Sequence, residues 1–498
     1  MVFQFLQQKL ENEIKKYDES LLFYAYNQIE FAEGHREKDR LKFKVDARKY
    51  TEYDIVQKNL ESMIEVSKIA SSAKYIVETI LKVNPMGNIS INQEAWHYLQ
   101  AIAFRLIETT IMSDHIHHDL IPYNVSINNL FQIKHMDEEK LFSPQEFQLA
   151  ESQQQVEGWK TPYRNYQTKS AKTNGEKKES KEPFPCFLEM NEAFQAQLGF
   201  PLDSLFAILY AFGRMDICSN EFFPLTKIQP SVLEKEFVKC TQNKYTRKEF
   251  HNTIDFLSLT FDTYDPTDPL LPLQLLRRKE RINLCPIVHL PTGEYLYGNQ
   301  MCLHALDIWI ISITSGFFPY EIEIGSQITS VLEKIHRHRD QTLERKAETI
   351  AKQALGQDNV EGRIDNFRRI SKSFLSKPQC GEIDVLAVNR KLKIIFVLEA
   401  KHLNKRLSPY YIRKEMNKFF CAEKSYYEKL VKKQQFIRNN IKEALKHFKI
   451  HDSTDWQVNK TFVVNDNYPS AFRKDRPVDF VLIDKLSKHL LNPGSNQS

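Results

Sequence analysis

The chain has 498 residues, a formal net charge of +5, 42% apolar and 27% charged residues, 33 Phe, 21 Tyr and only 14 Gly. That length exceeds what one hydrophobic core organises, so two or three domains are expected, and the composition excludes wholesale disorder. The seven cysteines, Cys186, Cys218, Cys240, Cys285, Cys302, Cys380 and Cys421, are scattered without a CxxC pair, which excludes a local zinc knuckle, gives no sign of a disulfide framework and predicts reduced core residues.

The first residues, Met1 to Tyr17, form a charged amphipathic stretch with no apolar signal core. No uncharged apolar run reaches the ~18 residues that span a bilayer; the nearest, Ile308 to Tyr320, is short and contains Gly316 and Pro319. A cytoplasmic protein with no membrane partner is the expectation. Residues 1–150 read as a helical domain, because Ile55, Leu60, Ile64, Ile69, Ile76 and Ile80 recur at helical spacing, as do Trp96, Leu99, Ala103, Leu106 and Thr110. Such stripes are bundle core rather than a cofactor box. His115-Ile116-His117-His118-Asp119 invites a metal reading, but no partner cluster is visible, and a polar loop after a helix accounts for it.

From 151 to 185 Gln, Lys, Ser, Asn and Glu dominate, as in Lys169 to Lys178, which predicts a flexible polar linker open to proteolysis. Residues 186–335 read as a mixed domain of helices and a hairpin. Helices are expected at Leu202–Phe212, Ser231–Lys239 and Arg247–Ser258, the last opened by a Thr246-to-Glu249 capping box. The hairpin Ile287–Leu290/Tyr295–Tyr297 turns at Pro291-Thr292-Gly293, and two short helices before it could make a winged-helix-like unit or plain core. No repeat of fixed period emerges.

Residues 336–490 read as an α/β domain with a central mixed sheet. A helix is expected over Asp340–Leu355, strands at Val360–Ile364, Glu382–Val388 and Lys393–Lys401, a long helical stretch over Ile412–Phe448 broken near Ala422, and strands at Thr461–Val464 and Phe480–Ile483. The strand ending at Lys401 is apolar on both faces, which marks a central strand. A strand repeats every two residues, so Glu399 and Lys401 share one side and Ala400 takes the other. Asp384, in the neighbouring strand, could bring its carboxylate to that of Glu399. Buried charges are costly unless they bind something, and a divalent cation held by Asp384, Glu399 and a backbone carbonyl would offset the cost. The bland alternative for a Glu-x-Lys pair is a solvated ion pair on an edge strand.

Gly381-Glu382-Ile383-Asp384, fifteen residues further Glu399-Ala400-Lys401, and the order of elements around them resemble the PD-(D/E)XK nuclease superfamily, in its Holliday-junction-resolvase-like and Mrr-like branches. Ile383 stands where the family name has Pro. The resemblance spans about Gln341 to Leu486, under a third of the chain. It implies a restriction-endonuclease-like fold and a Mg²⁺-dependent nuclease, with Mn²⁺ able to replace Mg²⁺. Asp384, Glu399 and the Ala400 carbonyl would hold the cation, and Lys401 would orient the attacking water and stabilise charge on the phosphate. It also implies a glutamate on the preceding helix: Glu344, after the apolar Leu343, is the catalytic candidate and Glu348, one turn on, its competitor. Glu382 lies on the strand face of Asp384 and could aid a second metal.

Between Lys401 and Lys449 fourteen Lys and Arg face four Asp and Glu, a local +10 that leaves the rest of the chain near −5. Lys405, Arg406, Arg413, Lys414, Lys429, Lys432 and Lys433, interleaved with Tyr and Phe, are therefore expected to contact nucleic-acid phosphates. A solvated basic face is the alternative. DNA is the expected partner, with RNA the alternative, and a homo-oligomer is expected. The larger N-terminal part is expected to sense or restrain the cutter, as in prokaryotic defence and mobile-element nucleases, with a regulatory protein as a further partner. The rival is a non-cleaving nucleic-acid-binding or scaffold protein that keeps the nuclease fold.

Overall fold

The computed structural model describes residues 2–46, 52–118, 144–160, 183–214, 225–241, 244–270, 272, 278–323, 325–378, 380–403, 408–473 and 475–493. They divide into two compact units: Met1–Ser113 with Glu151–His336, and Asp114–Ala150 with Arg337–Ser498.

The first unit begins with helices α1 (Val2–Ile14), α2 (Ser20–Asp46), α3 (Glu52–Val83) and most of α4 (Gln93–His117). It continues through the end of α5 (Pro144–Lys160), then α6 (Phe187–Leu198), α7 (Leu202–Arg214), β1 (Leu225–Ile228), α8 (Pro230–Cys240) and α9 (Arg247–Phe256). Strands β2 (Ser258–Leu259), β3 (Ile287–His289) and β4 (Tyr295–Gly298) follow, then α10 (Asn299–Thr314) and the start of α11 (Gln327–Leu355). One core runs through these elements other than α5, from Leu10, Ile29, Ile80 and Trp96 to Phe194, Phe212, Trp309 and Ile335.

The division differs from the expected one, because the early helical stripes bury against elements beyond residue 183 rather than against one another alone. The expected linker also starts as helix. In α5 Ser152 is buried, its Oγ accepting from Asn59 Nδ2 at 2.9 Å and donating to the Val56 carbonyl at 2.8 Å. Glu and Gln suit a helix as well as a linker, so composition alone does not separate the two. Lys169–Lys178 lie outside the described residues. In α3 the stripe is interrupted: Ile55, Ile76 and Ile80 are buried while Ile64 and Ile69 are each 37% exposed.

The hairpin forms, with Gly293 at φ 81° in its turn, a backbone conformation that favours glycine. It is not a free wing. The sheet order β1-β4-β3-β2 makes it the centre of a four-stranded sheet, and Tyr295 to Gly298 are all buried. The capping box of α9 forms as expected, Thr246 Oγ1 accepting from the Glu249 N–H at 3.2 Å and Glu249 Oε2 from the Thr246 N–H at 2.8 Å. Buried Glu30 caps α10 by accepting from the N–H groups of Gln300 and Met301, both at 2.8 Å. Among the described residues no single helix is long and apolar enough to cross a membrane.

The second unit carries most of α11, then β5 (Val360–Ile364), β6 (Ile383–Asn389), β7 (Ile394–Lys401), α12 (Pro409–Met416), α13 (Tyr426–Asn439) and α14 (Ile441–His447). Strand β8 (Gln457–Val464), β9 (Asp479–Leu482) and α15 (Leu486–Leu491) complete it. Its mixed sheet has the order β5-β6-β7-β8-β9; β5, β6 and β7 pair antiparallel, and β7, β8 and β9 parallel. A parallel β7–β8 pair needs a crossover, which α12 to α14 supply. The helical stretch is broken where expected: a π-turn over Asn417–Cys421 ends at Ala422, whose N–H donates to the Asn417 carbonyl at 2.9 Å. At the tip of the β6–β7 hairpin, Asn389 Oδ1 accepts from the Leu392 N–H at 3.1 Å, fixing the turn that sets the register of both strands.

Candidate metal centre

Strand β7 is central and both its faces are covered. One face, with Ile395, Val397, Leu386 and Val388, packs under Leu430 and Ile437 of α13 and Ala444 and Leu445 of α14. The other, with Phe396, Leu398, Ala400, Val385 and Ala387, packs on Leu343, Ala347 and Ala351 of α11 and Leu486 and Leu490 of α15. Each Val, Leu, Ile or Phe side chain so buried contributes about 1.5–3 kcal/mol, and the stiffness of this layer holds whatever lies at its end. By the two-residue repeat, Asp384, Glu399 and Lys401 project on the α13 face and Ala400 on the α11 face. Gly381, at φ 78°, makes the bend that leads into β6.

At that end the chain collects two carboxylates and two ammonium groups. Asp384 and Glu399 are 7% and 6% exposed. Asp384 Oδ2 accepts the Ala400 N–H at 2.8 Å, so the side chain takes up a backbone donor of the adjacent strand. Glu399 Oε1 accepts from Lys401 Nζ at 2.8 Å, and Lys401 Nζ also donates to the Ala400 carbonyl at 3.0 Å. Glu399 Oε2 pairs with Lys433 Nζ from α13. The two carboxylates therefore sit in opposite electrostatic states. Burial, then the neighbouring Glu399 charge, push Asp384 up to about 7. Glu399 is also opposed by burial, but the Lys401 and Lys433 ammonium groups outweigh it and hold its carboxyl below the ordinary value. Burial opposes the Lys401 charge, and Glu399 with Asp384 more than restores it, so the ammonium is held charged. Among the described residues no lysine, arginine or histidine forms an ion pair with Asp384.

The other carboxylates expected near the site separate. Glu344, on α11, is half-buried; burial first, then Glu382, raise its carboxyl, while Arg363 and Lys401 lower it. Arg363 Nε is 3.9 Å from its Oε2. The Glu344 charge in turn acts on Asp384. Glu348 instead accepts from Lys352 Nζ at 2.6 Å and lies over Gly362 of β5, where a Cβ would meet its carboxyl carbon at 2.2 Å. Glu382 is exposed and reaches the site through its field on Glu344.

Of the residues expected to contact phosphates, Lys414, Lys429 and Lys432 are exposed and Arg413 is half-buried. Lys405 and Arg406 lie outside the described residues. Lys433 differs from that expectation: it is 6% exposed and bonded to Glu399, not displayed to solvent. Its signal was present in the sequence, since Leu430, Lys433 and Ile437 fall on one helical stripe and a lysine on an apolar stripe needs a buried partner. Tyr426, absent from the expected set, has Lys401 Nζ 5.2 Å and Lys429 Nζ 6.0 Å from its ring centroid, which links the exposed basic face to the carboxylates. The histidine cluster ends α4 rather than forming a loop: His118 Nε2 is 3.2 Å from Asp114 Oδ1, one turn back, and Asp119 lies outside the described residues.

Among the described residues no group of three or more His, Cys, Asp or Glu side chains is arranged to hold a metal ion. The set at the end of β7 is smaller, two carboxylates and the Ala400 carbonyl. It fits a hard divalent cation in donor chemistry, being all oxygen, and in charge, because Asp384 is a buried carboxylate raised by burial and by the neighbouring Glu399 charge. Comparison with family models, curated proteins and solved structures finds no match for this chain.

Proposed function

We propose that the second unit is a Mg²⁺-dependent nuclease with a restriction-endonuclease-like fold, hydrolysing phosphodiester bonds of DNA. The observation that carries this is Asp384 buried beside Glu399 with no ion pair of its own among the described residues, at the end of a strand that also presents Lys401. The helix, three strands, crossover helices and two further strands around the pair, the order of elements in that superfamily, support it. When bound, the cation polarises the scissile phosphate and neutralises charge that develops on it. The chain's own groups do the rest. Asp384, fixed by the Ala400 N–H, and Glu399, fixed by α13 and β7, offer oxygens in a rigid frame. Lys401, anchored on Glu399 and the Ala400 carbonyl, places a permanent positive charge where an attacking water and a phosphate oxygen would meet. Exposed Lys414, Lys429 and Lys432 attract the sugar–phosphate backbone without reading sequence. By resemblance alone, the protein is placed among defence or mobile-element nucleases, with the first unit as the sensing part.

One observation favours a second reading. Both Glu399 oxygens already hold an ammonium, as in a structural ion triad, and such a triad belongs equally to a nucleic-acid-binding protein that does not cut. Purified protein incubated with linear, circular, single-stranded and branched DNA and with RNA, in Mg²⁺, Mn²⁺, Ca²⁺ or EDTA, separates the two. Cutting of DNA in Mg²⁺ or Mn²⁺ is expected; tight binding with every substrate intact selects the second reading. In either case Lys429→Ala with Lys432→Ala should lower the slope of log affinity against log salt by about 2, close to 0.9 per phosphate contact. An unchanged slope would assign both lysines to a solvated face.

A further inference from the structure

Among the described residues of the basic segment Lys433 is the one buried lysine, and its position is built. It shares a stripe of α13 with Leu430 and Ile437, and the next residue, Gln434, donates from Nε2 to the Val458 carbonyl of β8 at 2.5 Å. The helix is therefore held against the sheet, and the ammonium is delivered to Glu399 by packing rather than by a mobile surface stem. Lys401 has further tethers, the Ala400 carbonyl and the Tyr426 ring. Lys433 has none: among the described residues, Glu399 is its single hydrogen-bonding partner.

The charge count follows. With both carboxylates ionised, Asp384 and Glu399 against Lys401 and Lys433 make a neutral quartet, and a divalent cation entering alone would place two further positive charges beside two ammonium groups. Entering with a phosphodiester, the same cation brings the negative oxygens that Lys433 needs once it releases Glu399 Oε2. We propose that Lys433 is a positioning residue that occupies Glu399 in the resting site and passes to the substrate phosphate, so that cation and nucleic acid bind together rather than in sequence. The proposal rests on the nuclease reading and deepens it, assigning the order of binding at that site.

The test is Mn²⁺ binding by the full-length protein, followed by loss of the free-Mn²⁺ paramagnetic resonance signal, with and without a phosphorothioate DNA duplex that resists cutting. Lys433→Met keeps the stem and removes the charge. It should tighten Mn²⁺ binding without DNA by about 10- to 100-fold, and the further tightening that the duplex gives the wild type should shrink. Lys433→Arg, which keeps the charge, should behave as the wild type, whereas a merely structural role predicts no tighter Mn²⁺ binding in Lys433→Met. Lys433→Gln, which retains a neutral donor to Glu399, gives the same readout if the methionine variant fails to fold. Equal Mn²⁺ affinity in wild type and Lys433→Met, with weaker binding in Asp384→Asn, would overturn the proposal and leave the nuclease reading standing. Mn²⁺ binding that is absent, or indifferent to Asp384→Asn, in every variant would overturn the nuclease reading and this proposal with it.

Discussion

Lys401→Ala should reduce cleavage by at least about 10²–10³-fold, the usual loss when a preorganised group facing developing charge is removed, while the protein stays folded. The unusual half of this expectation is the second. A buried carboxylate deprived of its only partner destabilises a protein by roughly 3–5 kcal/mol. Glu399 is not in that position, because Lys433 still holds Oε2 when Lys401 is gone. The cost to stability should stay near 1–2 kcal/mol, the loss of the hydrogen bonds to Glu399 Oε1 and the Ala400 carbonyl. Affinity for DNA should also change little, since thirteen of the fourteen basic residues between Lys401 and Lys449 remain. Single-turnover cleavage, urea unfolding and a binding titration on one preparation check all three. Residual activity that merely tracked the folded fraction would mark Lys401 as a structural strut.

The double variant Lys401→Ala with Lys433→Met should be far less stable than either single variant. It leaves Glu399 and Asp384, 6% and 7% exposed, side by side with neither ammonium. A loss of about 3–5 kcal/mol beyond the sum of the singles is expected, because each lysine covers for the other only while one remains. Mg²⁺ should restore part of it, as a ligand that binds the folded state and supplies the missing positive charge. A simple sum of the two single effects, with no recovery in Mg²⁺, would mean that the quartet is not one electrostatic unit.

How much of this could be read from the sequence depended on the range of the interactions involved. Strands β6 and β7, the turn between them and the break at Ala422 are local: apolar runs, a polar gap, and a change of pattern within a few residues mark them. The parity that places Glu399 and Lys401 on one face is also local, a property of any strand. What was not legible was set by partners far along the chain. The early helices find their core partners, Phe194 and Trp309 among them, a hundred residues or more beyond, so the expected domains 1–150 and 186–335 share one core, while residues 114–150 go with the second unit. The sequence left the hairpin open as a wing or as plain core because its flanking strands, Leu225–Ile228 and Ser258–Leu259, are too short to register as strands alone. Lys433 was read with its exposed neighbours, since a run of lysines hides which of them faces inward until helix phase is set against the sheet.

The most direct measurement compares wild type with Asp384→Asn for DNA cleavage in Mg²⁺ and in EDTA, with melting curves of both in each condition. An amide at position 384 can still accept the Ala400 N–H, and it removes the repulsion between two buried carboxylates. Wild type is therefore expected to cut in Mg²⁺ and not in EDTA, and Asp384→Asn to cut in neither while melting in EDTA no lower than wild type. Wild-type cutting that persists undiminished in EDTA, or an Asp384→Asn variant that folds and cuts normally, would contradict the account.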